Sequence, residues 1–210
     1  MSQHRIHLPR RRALSALGGA VLLVLVGACA TKRVSRIEPS AVTDLSGRWN
    51  DTDSRLVANQ LVEQTLSAGW AKRYTETHGG EAPAVLVGAF ANRTLEHIAV
   101  GTFVKDIERA LVTTGAARVV ASGQERQELR GERKDQQENA RADSRSKLGQ
   151  ELGARYVLAG ELQEIEDVEG RERVVFYQVD ASLIDLETNA KVWVGQHKIK
   201  KYIERPRFGL

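Results

Sequence analysis

The sequence predicts a single α/β domain whose mixed β-sheet begins with a parallel βαβ unit, ends with an antiparallel hairpin and is flanked by helices. Two continuous apolar runs, residues 84–90 and 117–121, enclose a segment with helical spacing. A strand, a helix and a strand within about 40 residues are typical of a right-handed crossover between parallel strands. Two longer strand patterns, residues 174–185 and 191–199, follow around a short turn and indicate the closing hairpin.

Apolar residues at helical spacing predict two helices in the first half of the chain. The first begins at residues 51–54, whose polar side chains can cap a helix, and ends at Gly69. The second covers residues 100–111, and Gly115 is well placed to end it in a left-handed conformation. Residues 70–83 are polar and predict a loop between the first helix and the first strand.

A shorter apolar run, residues 156–160, predicts one more strand before the hairpin. A charged loop, in which solvation is the default interpretation, is predicted to follow it and contains Glu161, Glu164, Glu166 and Asp167. Residues 187–190 predict the hairpin turn, with Asn189 available for an unusual backbone angle.

The longest polar segment, residues 123–152, contains seven basic and seven acidic side chains. Opposite charges at i,i+4 spacing, such as Lys134 and Glu138, predict a helix, with Gly131 as the place for a break. The mixed charge favours a solvated helix whose C-terminal end packs on the sheet. The alternative is a helix that binds a partner.

The N-terminus predicts a bacterial secretory signal. Four arginines and no acidic residue accompany an apolar run, residues 13–28, which is shorter than the roughly 20 residues of a membrane-spanning helix. This run ends in Val-Gly-Ala before Cys29, the only cysteine, an arrangement similar to the bacterial lipobox. We predict a signal peptide over residues 1–28, a lipidated Cys29 with a flexible tether over residues 29–50, and a folded domain over residues 51–205. The alternative is a chance cysteine beside an ordinary signal peptide or a single anchor helix.

The residue after the cysteine predicts which membrane holds the protein. Ala30 stands where an aspartate would retain a Gram-negative lipoprotein at the inner membrane. We therefore predict a lipid anchor in the outer membrane and a domain that faces the periplasm. Two or three acyl chains hold a protein on a membrane, whereas one anchors it only reversibly.

Charge and composition exclude several classes of protein. Four of the 31 basic residues and none of the 27 acidic residues lie in residues 1–28, so the remaining chain has 27 of each. A nucleic-acid-binding domain keeps a basic excess, which this one lacks. A lone cysteine allows neither a disulfide nor a thiolate metal site within the domain, and His78, His97 and His197 lack metal-ligand spacing. Motifs of nucleophilic catalysis and of nucleotide binding are also missing, so we expect no enzyme, no cofactor and no metal.

Asn92, Arg93 and Thr94 are the best local candidates for partner binding, and Arg130 in the polar segment is a further one. The three residues follow a buried strand and precede a helix, where loops often carry binding residues. The alternative is a turn in which the Asn or Thr side chain caps the helix. Near the C-terminus, a basic cluster either meets the acidic wall or lipid headgroups, or forms a charged edge strand that resists aggregation. It consists of Lys198, Lys200, Lys201, Arg205 and Arg207.

These segments together resemble the LpoB family of penicillin-binding-protein activators, which is related in fold to the N-terminal domain of TolB. The resemblance covers residues 44–203 and the lipobox. Its most specific parts are the strand followed by Asn-x-Thr at residues 92–94 and the Gly-Ala-Arg-Tyr-Val-Leu-x-Gly pattern at residues 153–160. The second pattern also occurs in other lipoproteins of this fold, including curli-secretion-like proteins. The other matching segments are residues 54–66, 85–87, 103–111 and 118–120 and the closing hairpin.

The resemblance implies an outer-membrane lipoprotein that regulates peptidoglycan synthesis by binding and activating a class A penicillin-binding protein. The alternative is a structural or secretion-associated envelope lipoprotein of the same fold, which self-assembles or joins an outer-membrane complex. A ring-forming secretion protein carries an extra amphipathic membrane-spanning insertion, which this sequence lacks, and this favours the activator. Enterobacterial members carry a long proline-rich tether, whereas residues 29–50 contain only Pro39 and confine the domain near its anchor.

Overall fold

The computed structural model describes residues 34–146 and 151–204. The chain divides into residues 1–39 and residues 40–210, and the described residues of the first part, 34–39, contain no helix or strand. The helices of the second part are α1 (Asp51–Ser67), α2 (Trp70–Thr77), α3 (Gly101–Thr114) and α4 (Gly123–Asn139). The strands are β1 (Ala84–Asn92), β2 (Arg118–Val120), β3 (Tyr156–Glu169), β4 (Glu172–Asp185) and β5 (Lys191–Glu204).

The five strands form one mixed sheet in the order β2-β1-β3-β4-β5. β1 pairs in parallel with both β2 and β3, whereas β3, β4 and β5 pair antiparallel. The predicted fold class, with a parallel βαβ start and an antiparallel hairpin at the end, is therefore confirmed.

The hydrophobic core lies between one face of this sheet and helices α1 and α3. Every second residue of β4 from Val175 to Leu183 is buried, as the two-residue period of a strand requires. Leu61 of α1 and Phe103 and Ile107 of α3 face the same core and are almost completely buried. The apolar spacing that predicted these two helices is thus the spacing of their buried faces.

The predicted loop over residues 70–83 is partly wrong, because Trp70–Thr77 form α2. Trp70 is the buried residue of this helix; its indole Nε1 donates to the Thr65 carbonyl oxygen at 2.8 Å, and its ring lies 5.8 Å from that of Tyr156. Ala71 and Tyr74 are partly buried beside it against the core. A helix of eight residues carries too few apolar positions for periodicity to indicate it.

The charged loop predicted after residue 160 is wrong as well. β3 runs without interruption to Glu169 and turns into β4 at Gly170, whose φ is 58°. The acidic residues lie opposite β4 residues, so that Glu164 pairs with Tyr177 and the Glu166 carboxylate lies 2.6 Å from Arg173 Nε. Glu161 and Asp167 occupy the same strand. Cross-strand pairing extends β3 even though its own sequence is too acidic to predict a strand.

The polar segment forms a shorter and straighter helix than predicted. α4 passes through Gly131 without a break and ends at Asn139, and residues 140–146 are not helical. A capping box begins it, because the Ser122 hydroxyl accepts from the Glu125 amide while the Glu125 carboxylate accepts from the Ser122 amide. None of its residues is buried, as expected of a solvated helix.

Turn and cap positions mostly follow the sequence. Gly115 and Asn189 have φ angles of 67° and 59°, as predicted for a helix end and a hairpin turn. The cap of α1 lies one residue earlier than predicted: the Asn50 side chain accepts from the Asp53 amide, and the Asp53 carboxylate accepts from the Asn50 amide. α1 itself ends at Ser67, just before Gly69.

Gly160 provides a test of the sheet register. A Cβ atom at Gly160 would meet the Asp180 carbonyl oxygen and the Phe90 ring. We expect Gly160→Ala to lower the free energy of unfolding by about 1–3 kcal/mol, because neighbouring backbone must move. Gly131→Ala on α4, where a Cβ meets nothing within 4 Å, should instead raise it by about 1 kcal/mol. Urea denaturation measures both, and an unaffected Gly160→Ala protein would contradict this register.

Candidate functional site

Asn92 and Thr94 hold a turn at the end of β1. Asn92 Oδ1 accepts from the Thr94 amide at 3.0 Å and from Thr94 Oγ1 at 2.8 Å, and Asn92 Nδ2 donates to the Glu96 carbonyl oxygen at 2.8 Å. α3 begins only at Gly101 and has no side-chain cap, so this turn does not cap that helix. The two side chains are engaged within the turn and fix its shape.

Arg93 and Leu95 are the residues of this turn whose side chains are exposed, and Arg93 is the charged one. Its amide donates to the Leu162 carbonyl oxygen at 2.8 Å, which ties its backbone to β3. Its side chain is 68% exposed, and its guanidinium Nε lies 3.9 Å from a Glu161 carboxylate oxygen. A hydrogen-bonded backbone thus carries an exposed cation.

Arg130 lies on α4 and is held by Glu151. Its Nε and Nη2 atoms donate to the two Glu151 carboxylate oxygens, each at 2.9 Å, and Arg133 Nη1 donates to the same carboxylate at 3.1 Å. The hydrogen bonds from Arg130 hold the pKa of Glu151 below its ordinary value. Glu151 precedes β3, whose first residue pairs with the first half of β1, whereas the Asn92–Thr94 turn follows the last residue of β1. The structure therefore does not bring Arg130 together with that turn.

Glu96 is a partly buried carboxylate that sequence reasoning did not select. It follows the turn, and its side chain is only 12% exposed. Its Oε2 accepts from the Trp49 amide at 3.1 Å, and its Oε1 accepts from the Tyr177 hydroxyl at 2.9 Å and lies 3.8 Å from Arg173 Nη2. Burial, followed by the hydrogen bond to Glu96, raises the pKa of Tyr177 far above its ordinary value. Glu96 therefore joins the turn to the core.

A second ionic cluster fastens residues 44–50 to the domain. Lys201 Nζ on β5 donates to the Asp53 carboxylate at 2.6 Å, to the Asp44 carboxylate at 3.1 Å and to the Arg48 carbonyl oxygen at 3.0 Å. The hydrogen bond from Lys201, together with one from Asn50, lowers the pKa of Asp44. The last residues of the predicted tether thus contact the folded part.

Three residues of the predicted basic cluster lie on β5, and their side chains do not share one environment. This strand is an edge of the sheet, and Lys198 and Lys200 are exposed on it, whereas Lys201 is turned toward Asp53. Exposed lysines on an edge strand oppose edge-to-edge pairing with another chain. Arg205 and Arg207 lie outside the described residues.

The described residues contain neither a helix long and apolar enough to cross a bilayer nor a group of three or more side chains suited to hold a metal ion. The signal peptide and Cys29 lie outside them. Residues 34–146 and 151–204 present an exposed arginine on a hydrogen-bonded turn and a charged, exposed helix.

Comparisons with known proteins give a family. The family model of the peptidoglycan-synthase activator LpoB matches residues 53–199. The structure is similar to the C-terminal domain of LpoB from Salmonella enterica, with 17% identity, a TM-score of 0.32 and coverage of 64% of this chain and 95% of that one. It is also similar to the same domain from Escherichia coli, with 18% identity, a TM-score of 0.35 and coverage of 64% of this chain and 98% of that one. A third similar structure is the PelC dodecamer from Paraburkholderia phytofirmans, with 24% identity, a TM-score of 0.34 and coverage of 57% of this chain and 73% of that one. Comparison with curated proteins gives no match.

Proposed function

Because this chain belongs to the LpoB family of peptidoglycan-synthase activators, we propose that it binds a class A penicillin-binding protein and stimulates its synthesis of peptidoglycan. The observation that carries the proposal is the extent of the family match, which runs from the first turn of α1 to β5. The family consists of activators, and in this proposal the chain regulates the synthase and catalyses no reaction itself.

Arg93 is the contact that we propose for the synthase at the end of β1. Arginine is enriched among the residues that dominate binding energy at interfaces, because its planar guanidinium makes several hydrogen bonds at once. Asn92 and Thr94 hold the backbone on which Arg93 is presented and so lower the entropic cost of ordering the contact. Arg130 is a second proposed contact, on α4, where Glu151 orients its guanidinium.

The test uses photocrosslinking from the full chain in cells, with a photoreactive residue at position 93 or at position 130. Lys72 on α2, whose side chain is 80% exposed, is the matched control position. Capture of a class A penicillin-binding protein from position 93 or 130, and not from position 72, supports activation by contact. Capture of a second copy of this chain, or of an outer-membrane assembly without a synthase, would support the self-assembling alternative.

We expect Arg93→Ala to weaken binding of the synthase about tenfold or more, as the loss of a well-placed interface arginine does. The unfolding midpoint should not change, because the Arg93 side chain makes no close hydrogen bond among the described residues. Lys72→Ala serves as the control for removal of an exposed cation. Synthase affinity and thermal unfolding are measured on the same preparations, and an unchanged affinity would remove Arg93 from the interface.

For the anchor we propose a lipidated Cys29 in the outer membrane, with the domain facing the periplasm and residues after Cys29 as the tether. A diacylated thioether with a further acyl chain such as palmitate on the freed amine would hold the chain on the membrane without a spanning helix. This part rests on the lipobox-like residues before Cys29 and on Ala30 after it.

Cys29→Ala is expected to abolish lipidation and to leave the signal uncleaved at this site, because no thiol remains to receive the diacylglyceryl group. Labelling with radioactive palmitate and fractionation of membranes measure the two effects. Cys29→Ser removes the thiol and keeps the size of the side chain, and the same result is expected. A variant that still incorporates palmitate would overturn the assignment of Cys29.

A further inference from the structure

The sheet has an open edge beside β1. β2 pairs with β1 only through Ala84–Leu86, and in the described part of the chain no strand lies along Val87–Asn92 on that side. Ala89 is exposed, and the register of β1 against β3 shifts between Val87 and Phe90. Such irregularities recur at sheet edges and beside functional sites. Half of β1 therefore has backbone amides and carbonyls on a side without a neighbouring strand.

A groove follows this open edge. It encloses about 540 Å³ and is bordered by residues 86–89 of β1, by α3 and by the first two turns of α4. Its apolar walls include Val104 of α3 and Val119 and Val120 of β2. The groove thus has apolar surface from α3 and β2, and polar surface from α4.

The rim of the groove is acidic. Glu108, Glu125 and Glu128 border it together with a single cation, Lys105. Lys105 Nζ is already bonded to Glu108 at 2.8 Å and to Glu125 at 3.3 Å. Glu128 is exposed and, among the described residues, accepts only a hydrogen bond from Gln124. A ligand with positive side chains meets an uncompensated carboxylate here.

The side chains that commonly protect a sheet edge are missing along this half of β1. Edge strands are commonly blunted by lysines or prolines, as β5 is by Lys198 and Lys200. Residues 87–91 are Val-Gly-Ala-Phe-Ala and contain neither charge nor proline. An apolar edge of this kind is suited to pairing with another segment, and Arg93 of the proposed interface lies directly beyond it.

We infer that this groove receives an extended, basic segment of the synthase, which adds as a strand to the free edge of β1 between α3 and α4. Backbone hydrogen bonds to residues 87–91 supply the affinity, and alternate apolar side chains of the segment contact Val104 and Val120. Lysine or arginine side chains of the segment pair with Glu128 and the other rim carboxylates. The inference rests on the proposed function only for the source of the segment.

Synthetic peptides test the groove without the synthase. The full chain is titrated with acetyl-Val-Lys-Val-Lys-Val-Lys-Val-amide, with the same peptide carrying glutamate for lysine, and with a lysine peptide N-methylated at four successive central amides. We expect the lysine peptide to bind at least tenfold more tightly than either control and to slow hydrogen exchange at residues 87–91. Equal binding of the lysine and glutamate peptides, binding that survives N-methylation, or no binding of any peptide would overturn the groove as a strand-accepting site.

Charge reversal then tests the source of the segment. Glu128→Lys alters the rim without touching the Ser122–Glu125 capping box, and Glu138→Lys makes the same change in the exposed last turn of α4. We expect Glu128→Lys, and not Glu138→Lys, to weaken both peptide and synthase binding at least fivefold. If the peptide is affected and the synthase is not, the segment does not come from the synthase. If the wild-type chain binds no synthase, the proposed function fails, while the peptide result still decides the groove.

Discussion

Glu96→Ala is expected to lower the free energy of unfolding by about 3 kcal/mol, because it removes the shared acceptor of one buried and one half-buried donor. The Tyr177 hydroxyl and the Trp49 amide would lose their acceptor, and Arg173 would lose a nearby counter-charge. A buried donor without a partner costs its full desolvation, which exceeds the net contribution of the bond itself. Urea denaturation of the full chain measures the change.

The conservative variant Glu96→Gln separates hydrogen bonding from charge. Its amide oxygen can still accept from Tyr177, so we expect about half the loss of stability. The pKa of Tyr177 should fall when the negative charge of Glu96 is removed, since that charge opposes ionisation of the phenol, yet it should remain above its ordinary value because of burial. Ultraviolet titration against a Tyr177→Phe reference measures this pKa.

An exposed carboxylate provides the control for these variants. Glu81, whose side chain is 68% exposed, pairs only with Arg118 at the surface, and Glu81→Ala should change the free energy of unfolding by less than about 0.5 kcal/mol. If Glu96→Ala unfolds at the same urea concentration as Glu81→Ala, the bonds of Glu96 to Trp49 and Tyr177 contribute nothing to stability.

Glu96 also shows which part of the site lies beyond sequence reasoning. Its partners Trp49 and Tyr177 are 47 and 81 residues away along the chain, and no local pattern links them. A single glutamate after a turn is ordinarily a solvated residue. Glu96 gains these partners only because the residues just before α1 and those of β4 pack around the end of β1.

The elements that were predicted correctly are those whose own residues carry an apolar signal. α3 and β4 repeat or alternate in register with the core, and β1 is a continuous apolar run, so their sequences alone indicate them. The second half of β3 carries no such pattern, because its acidic residues are held by pairing with β4. α2 is held in the same way by tertiary contacts, which are those of Trp70 with Thr65 and of Trp70 and Tyr74 with Tyr156.

The sequence predicted the position of the candidate turn, but not which of its residues hold the turn and which is exposed. Sequence alone left binding and structure as alternatives for Asn92, Arg93 and Thr94 together. Hydrogen bonds divide them: the Asn and Thr side chains are engaged with each other and with the Glu96 backbone, whereas the Arg93 side chain is exposed. Side-chain direction of this kind depends on the turn geometry, which residue types alone do not determine.

Trp49→Ala is expected to lower the free energy of unfolding by about 2–3 kcal/mol, less than a fully buried tryptophan because Trp49 is half-buried. Its ring lies 5.3 Å from that of Tyr177 and 6.4 Å from that of Phe103, and its Nε1 donates to Ser54 Oγ at 2.8 Å. Trp49→Phe keeps an aromatic ring beside Tyr177 and loses the Nε1 bond, so we expect a smaller loss. Thermal and urea unfolding measure both variants.

Leu45→Ala is the matched control within the same segment, because Leu45 is 93% exposed and should be neutral within about 0.5 kcal/mol. A loss for Trp49→Ala with none for Leu45→Ala would mean that stable structure begins before α1, at the residues that Lys201 and Glu96 hold. The flexible tether would then span about 15 residues after Cys29, with a maximum reach of roughly 50 Å. If Trp49→Ala leaves stability unchanged, the contacts of Trp49 add nothing to the stability of the domain, and the whole predicted tether up to residue 50 is available to reach the proposed partner.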